Sequence, residues 1–169
     1  MDFFVWLEQA RIAVWVNAGE SLLAYPTVLM FHTIGLTLVV GINIAIDLRL
    51  LGFAPQIPIA TLQRFFTLMW IGLAINATSG VLLFMAKATK MAVNPAFYVK
   101  MTAIVFALGV FFAIKSRVFA NATSDQTAVD SNGRMLAALS LVLWLTAITA
   151  GRVMAYVGEA AEFGLLILK

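Results

Sequence analysis

The chain has 169 residues, of which 63% are hydrophobic and 11% are charged, whereas an ordinary soluble domain is about 45–50% apolar and about 25% charged. So few polar side chains cannot cover a water-facing surface, which excludes an ordinary soluble protein and makes lipid the expected solvent. The net charge is +3, and the basic residues stand singly at the ends of apolar runs, so nucleic acid is not an expected partner. The absence of cysteine excludes disulfides, thiolate metal sites and thiol nucleophiles.

The N-terminal segment MDFFVWLEQARIAVWVNAGE contains Asp2 and Glu8 and lacks the basic start and continuous apolar core of a signal peptide. Residues 3–17 predict a short helix with a mixed apolar and charged surface and tryptophans near both ends. This pattern is typical of an amphipathic helix that lies in the membrane interface. The alternative is that the helix packs on the rest of the protein or on a neighbouring subunit.

Four apolar segments follow, each with at least the roughly 17 residues needed to cross the hydrocarbon core. They predict membrane spans over residues 22–46, 62–86, 97–114 and 135–157. Asp47 and Arg49 are expected to end the first span. The hydrophilic stretch NATSDQTAVDSNG, residues 121–133, predicts an aqueous loop, and the tail GEAAEFGLLILK is short and amphipathic.

Short connections favour an up-down-up-down arrangement of the four spans. The chain, residues 1–169, is therefore predicted to form a single all-α domain, an integral membrane four-helix bundle with an N-terminal interfacial helix. Both ends of the chain and the turn at 87–94 then lie on one side of the membrane, and the loops at 47–61 and 115–134 lie on the other.

Polar residues inside the spans are the most informative positions, because hydrocarbon offers a buried polar group no water. The single histidine of the chain, His32, lies about ten residues into the first span, close to the middle of the bilayer. Helical spacing predicts that Val39, Asn43 and Asp47 share its face and that this face points into the bundle.

Two other polar stripes are predicted to face the first one. In the second span the stripe consists of Asn76 with Met69, Gly72, Gly80, Leu83 and Lys87, and in the fourth span it consists of Leu145, Thr149, Arg152, Tyr156 and Glu159. With all three stripes turned inward, His32, Asn76 and Arg152 would share one cavity. Small residues at Gly35, Gly41, Ala77, Ser79 and Gly80 predict close helix packing, and Trp70 and Trp144 are expected in the core.

His32 has several possible functions: an axial ligand to haem b, a copper ligand or a proton relay. The alternative is a histidine that only ties neighbouring helices together by hydrogen bonds. A haem between two histidines is in doubt because the chain has one, so the second ligand would be a methionine, a vacant position or His32 of a second subunit. Arg152 would anchor an anionic group such as a haem propionate, or else extend to the membrane surface and pair with Glu159.

The residues of three segments also resemble a family of bacterial integral membrane proteins with four spans and no assigned activity. The first segment is ESLLAYPTVLMFHTIGLTLVVGINIAIDLRLLG, the second is MWIGLAINATSGVLLFMAKATKMAVNPAFYVKM and the third is AGRVMAYV. The matching positions are Glu20, Ser21, Pro26, His32, Gly35, Gly41, Asp47–Gly52, Trp70, Gly72, Ser79, Gly80, Asn94, Pro95, Phe97, Lys100, Gly151, Arg152, Ala155 and Tyr156. The resemblance implies a bacterial inner-membrane location. More distantly, the chain is similar to copper-resistance-D membrane domains and cytochrome-b-type bundles, which implies haem or copper.

These observations predict a small membrane subunit that holds a redox cofactor or metal and takes part in electron transfer within an oligomer or a larger membrane complex. The predicted cofactor-binding residues are His32, Asn76, Thr149, Arg152 and Tyr156, with His32 as the metal ligand and no residue assigned to catalysis. Whether the protein is an enzyme stays open, and the absence of any cofactor fits the sequence equally well. The alternatives are a structural or accessory subunit, and transport of copper or protons along the stripe of His32, Asn43 and Asp47.

Overall fold

The structure, a computed structural model, describes the backbone of residues 2–17, 23–119 and 129–167, and their side chains except at 155 and 157–167. All the elements in these ranges are helical. In chain order they are α1 (Asp2–Glu8), α2 (Arg11–Asn17), α3 (Ala24–Leu51), a 3₁₀ helix (Ile59–Arg64), α4 (Phe65–Ala86), α5 (Ala88–Ala92), α6 (Pro95–Ile114), a π-helical turn (Lys115–Phe119) and α7 (Ser131–Ile167).

Four helical segments are long and apolar enough to cross a membrane: Ala24–Leu51, Ile59–Ala86, Pro95–Phe119 and Ser131–Met154. The prediction of an all-α four-helix bundle is confirmed, and the chain has the character of a multi-pass membrane protein in contact with lipid. Most of the predicted 121–133 loop lies outside the described residues, as do the side chains of the predicted amphipathic tail and of Glu159.

The bundle is built from two antiparallel helical hairpins. The most extensive packing joins α3 to α4 and α6 to α7, and contact between α3 and α7 brings the hairpins together. Aromatic side chains connect α4 to α6, with ring centroids 5.4 Å apart for Phe66 and Phe111 and 5.2 Å apart for Phe84 and Phe97. We call the side that holds the start of α3, α5 and the start of α6 the terminal side, and the opposite side the loop side.

The first span continues beyond its predicted end. Asp47 and Arg49, expected to stop it, are only 1% and 4% exposed, and α3 runs on to Leu51. It ends at Gly52, whose φ of 106° is left-handed and whose N–H bonds to Arg49 O, 3.1 Å away. Glycine adopts this conformation without steric cost, so it is the residue that terminates the helix.

The predicted interfacial helix at 3–17 is divided into α1 and α2. Ala13 and Val16 of α2 are buried against α3 and α4, whereas Glu8 at the end of α1 accepts hydrogen bonds from Thr89 N and Thr89 Oγ1 at 2.9 and 2.7 Å. The two halves therefore dock on different parts of the terminal side. Large apolar side chains on their other surfaces stay exposed, among them Trp6.

Candidate functional site

His32 is held against α4 by a set of short polar contacts. Its Nδ1 lies 3.1 Å from Asn76 O and 3.1 Å from Ser79 Oγ. In return, Asn76 Nδ2 donates to His32 O at 2.9 Å. Each of the two side chains thus bonds to the backbone of the other residue. The prediction that His32 and Asn76 meet inside the bundle is confirmed.

The hydrogen-bond network favours a hydrogen on Nδ1 of His32. Ser79 Oγ donates to Ile75 O at 2.6 Å, which leaves its oxygen as an acceptor. Nδ1 therefore faces two acceptors at 3.1 Å, against a single donor, Asn76 Nδ2, at 3.3 Å. A hydrogen on Nδ1 satisfies this arrangement and leaves the lone pair on Nε2. Within the described ranges no hydrogen bond reaches Nε2.

Glycines allow α3 and α4 to approach closely enough for these contacts. A Cβ atom on Gly35 would lie 2.6 Å from Asn76 N, and one on Gly72 would lie 2.6 Å from Leu38 Cβ. Either distance is too short for any real side chain. The expectation of close packing is thus confirmed at Gly35, whereas Gly41 has nothing within 4 Å of its Cβ position and faces outward.

His32 lies in the N-terminal half of the first span. The helix α3 has 28 residues, which makes it about 42 Å long, and His32 lies about 12 Å from its N-terminal end. The histidine therefore lies about 9 Å from the midpoint of the helix, in the half nearer the terminal side. It is half-buried, while Gly35, Val39, Asn43 and Asp47 on the same face are buried, which confirms that this face points inward.

Lys100 on α6 is a cation in the same part of the bundle as His32, and it was not among the predicted site residues. Its half-buried side chain passes Gly151 of α7, where a Cβ atom would lie 3.7 to 3.8 Å from its Cδ, Cε and Nζ atoms. Lys100 lies five residues into α6, in the same terminal-side half of the bundle as His32. In the part of the chain described here, no side chain forms a hydrogen bond or ion pair with its ammonium group. A lysine five residues after Pro95 in an apolar helix was the available signal.

The stripe predicted to face inward on α7 is turned outward instead. Leu145, Thr149 and Arg152 are exposed, and Tyr156 is 66% exposed. Thr149 lines an open apolar groove of about 520 Å³ between α6 and α7. The inward positions of α7 are Gly133, Ala137, Ser140, Trp144, Ala147 and Ala150. The prediction of a cavity shared by His32, Asn76 and Arg152 is therefore wrong for Arg152, because small residues and Trp144 occupy the face that packs against α3 and α6.

A second polar group lies towards the loop side, where α3 packs against α7. Asn43 and Asp47 of α3 are buried there with Ser140 and Trp144 of α7. Asn43 Nδ2 donates to Val39 O at 2.8 Å and to Met69 Sδ at 3.2 Å. Ser140 and Trp144 are one turn apart on the same face of α7, so both lie at its interface with α3, which we call the α3–α7 seam.

The described side chains do not form a many-ligand metal centre. Across residues 2–17, 23–119 and the described part of α7, no group of three or more His, Cys, Asp or Glu side chains could hold a metal ion. Comparisons of the chain with protein-family models, with curated proteins and with solved structures found no match.

Proposed function

We propose that the protein is a small membrane subunit that binds a redox cofactor through Nε2 of His32. The observation that supports this function is the anchoring of Nδ1 by Asn76 O and Ser79 Oγ. Histidines that ligate metals commonly donate the other ring N–H to a backbone carbonyl, which orients the ring and fixes the tautomer. His32 has this arrangement before any ligand is bound.

The ligand set favours haem b over copper. Copper sites in proteins are assembled from several nitrogen or sulfur ligands. The chain has one histidine and no cysteine, and no group of three or more His, Cys, Asp or Glu side chains among the described residues could hold a metal ion. A haem can be held by one axial histidine together with apolar contacts. Its propionates are anionic, and the ammonium group of Lys100, which lies in the same part of the bundle as His32, is the cation best placed to hold one.

Electron transfer within a larger assembly is the expected role of such a subunit, and a bacterial inner membrane is its expected location. Because the chain has one histidine, a second axial ligand would come from His32 of a second copy or from another subunit. Thr149, Arg152 and Tyr156 are exposed on α7 and are available to such a partner. In this proposal they contact a partner or lipid head groups rather than the cofactor of their own chain.

An absorption spectrum of the purified protein tests this function. The protein, extracted in detergent from cells supplied with a haem precursor, is expected to show a Soret band, and the pyridine haemochrome assay is expected to identify haem b. The band should be lost in His32→Ala and kept in Thr37→Ala, a matched control on the same helix whose hydroxyl bonds only to Thr33 O. A folded wild-type protein that is colourless and free of metal would overturn the proposal.

A structural subunit is the second candidate, and the reciprocal bonding of His32 and Asn76 favours it. The bonds from Asn76 Nδ2 to His32 O and between His32 Nδ1 and Asn76 O tie α3 to α4 without any ligand. If the protein is a structural subunit, His32→Ala lowers its thermal stability, and neither the wild type nor the variant carries a chromophore. Under the first function, the same variant also loses a spectral band, so that one preparation distinguishes the two.

A further inference from the structure

The polar group on the loop side contains three buried side-chain atoms that lack hydrogen bonds. Asp47, Ser140 and Trp144 are 1%, 0% and 2% exposed. Within the described residues, Asp47 Oδ2, Ser140 Oγ and Trp144 Nε1 have no hydrogen-bond partner. Buried polar atoms are almost always bonded, so three of them on one helix seam require an explanation.

The chemistry of these atoms is complementary. The indole N–H is a donor, the hydroxyl is both donor and acceptor, and the carboxyl oxygen is an acceptor when ionised. Ser140 lies beside the Asp47 carboxyl and is close enough to act on it, but Ser140 Oγ and Asp47 Oδ2 do not meet hydrogen-bond geometry. A water molecule that accepts from Trp144 and bonds to Ser140 and Asp47 would have three polar partners, which is the usual number for a buried water.

The charge of Asp47 is the second part of the argument. An ionised carboxylate in an apolar interior is very unfavourable unless a cation pairs with it. Arg49, on the same helix, directs Nε and Nη2 to Ile57 O and Pro55 O at 2.6 and 3.0 Å.

The cations on the neighbouring elements are also directed elsewhere. Arg64 lies over the Phe65 ring, Lys115 lies over the Phe66 ring, and Arg134 at the start of α7 is exposed. No described cation forms an ion pair with the Asp47 carboxyl, and the neutral acid is the form that this environment favours.

We infer that Asp47, Ser140 and Trp144 form a proton-binding site inside the bundle, in which a water molecule joins the carboxyl group to the hydroxyl and the indole N–H. Binding forms one O–H bond on the carboxyl group and release breaks it, so no oxidant or reductant takes part. Asp47 lies four residues before the end of α3, about 6 Å along the helix axis. The proton therefore exchanges with the loop side of the membrane.

This site is separate from His32. His32 and Asp47 are fifteen positions apart, which is about 22 Å along the helix. Apolar side chains fill the space between them, including Val39, Val40 and Ala107. A failure of the cofactor proposal at His32 would leave the proton-binding site untouched, and the reverse also holds.

Infrared spectroscopy of the full chain in lipid nanodiscs tests the inference. At neutral pH the wild-type protein is expected to show the C=O stretch of a protonated carboxylic acid, above the amide I band, and this band should move to lower frequency in D₂O. It should disappear in Asp47→Asn and remain in Asp130→Asn, the control for an exposed aspartate. Raising the pH should convert it into a carboxylate band.

Two milder variants keep the test decisive if Asp47→Asn does not fold. Ser140→Ala removes the hydroxyl with little change of shape, and Trp144→Phe removes the indole N–H and keeps an aromatic ring. Each variant is expected to shift the frequency of the acid band. A folded wild type with no acid band at any pH would overturn the inference. So would a band that persists unshifted in both variants, or one that appears only after Na⁺ is removed, because the site would then hold a cation.

Discussion

The two polar regions of the bundle differ in how their hydrogen bonds are completed. On the terminal side, the α3–α4 seam joins His32 to Asn76 and Ser79, and the Nδ1 contacts are made entirely by protein atoms. On the loop side, the α3–α7 seam buries Asp47 and Ser140 without such bonds. At the α3–α4 contact, Gly35 and Gly72 bring the two backbones close together, so that the side chains of His32 and Asn76 reach the backbone of the facing helix. At the α3–α7 contact, our inference is that a water molecule completes the hydrogen bonds.

The largest expected effect comes from adding a side chain where a glycine allows α3 and α4 to approach closely. Gly35→Ala places a Cβ atom 2.6 Å from Asn76 N, which is backbone and cannot turn aside. We expect the free energy of unfolding in detergent to fall by about 3 kcal/mol, at the upper end of overpacking effects. Gly41→Ala is the matched control, since it meets nothing within 4 Å and should raise stability by up to about 1 kcal/mol through helix propensity. Equal effects at both positions would contradict the close approach.

The next effect distinguishes the α3–α4 interface, where His32 and Asn76 are hydrogen-bonded, from the α3–α7 interface, where, within the described residues, Asp47 Oδ2 and Ser140 Oγ are not. His32→Leu removes the imidazole contacts to Asn76 O and Ser79 Oγ but keeps the bond from Asn76 Nδ2 to the backbone oxygen of residue 32, so we expect a loss of about 2 kcal/mol in the free energy of unfolding. Thr37→Val, on an exposed position of the same helix, should change stability by less than about 0.5 kcal/mol. Thermal unfolding followed by circular dichroism measures both variants, and a neutral His32→Leu would remove the structural role of the histidine.

A smaller change is expected on the loop side. Asp47→Asn replaces a neutral acid by a neutral amide of the same shape, and we expect the free energy of unfolding to change by less than about 1 kcal/mol at neutral pH. If Asp47 were instead ionised and paired with a cation, removal of its charge would cost about 3–5 kcal/mol. The same unfolding measurement therefore reports the protonation state of Asp47 independently of the infrared band.

The smallest effect is expected for the outward stripe of α7. Arg152 is exposed, so Arg152→Gln should alter the free energy of unfolding by less than about 0.5 kcal/mol. Cross-linking or native mass spectrometry of the same variant tests whether the exposed arginine contacts a partner. A large loss of stability in an isolated, monomeric protein would show that Arg152 has a buried role after all.

The inward face of α3 could be predicted from the sequence, but that of α7 could not. In α3 the polar residues His32, Asn43 and Asp47 follow helical spacing on one face, and polar groups avoid lipid. In α7 the same reasoning selected Thr149 and Arg152, which are exposed.

Two physical reasons explain the failure on α7. The inward face of a membrane helix is marked by small residues that allow close packing, and Ser140, Ala147 and Ala150 are of this kind. Long or amphipathic side chains near the end of a span can reach the interface instead of the core. Ser79 and Lys100 were within reach of sequence reasoning, since Ser79 follows Asn76 by one turn. The lack of a hydrogen-bond partner for Asp47 Oδ2 among the described residues could not be predicted, because it depends on how α3 and α7 pack together.

The contact between Glu8 and Thr89 has a consequence for the order in which the molecule assembles. The two residues are 81 positions apart in the chain, so the N-terminal segment leaves the ribosome long before its docking surface exists. Residues 2–17 can therefore complete their contacts only after the second span and the turn that follows it have formed. The segment made first is thereby among the last to reach its final place.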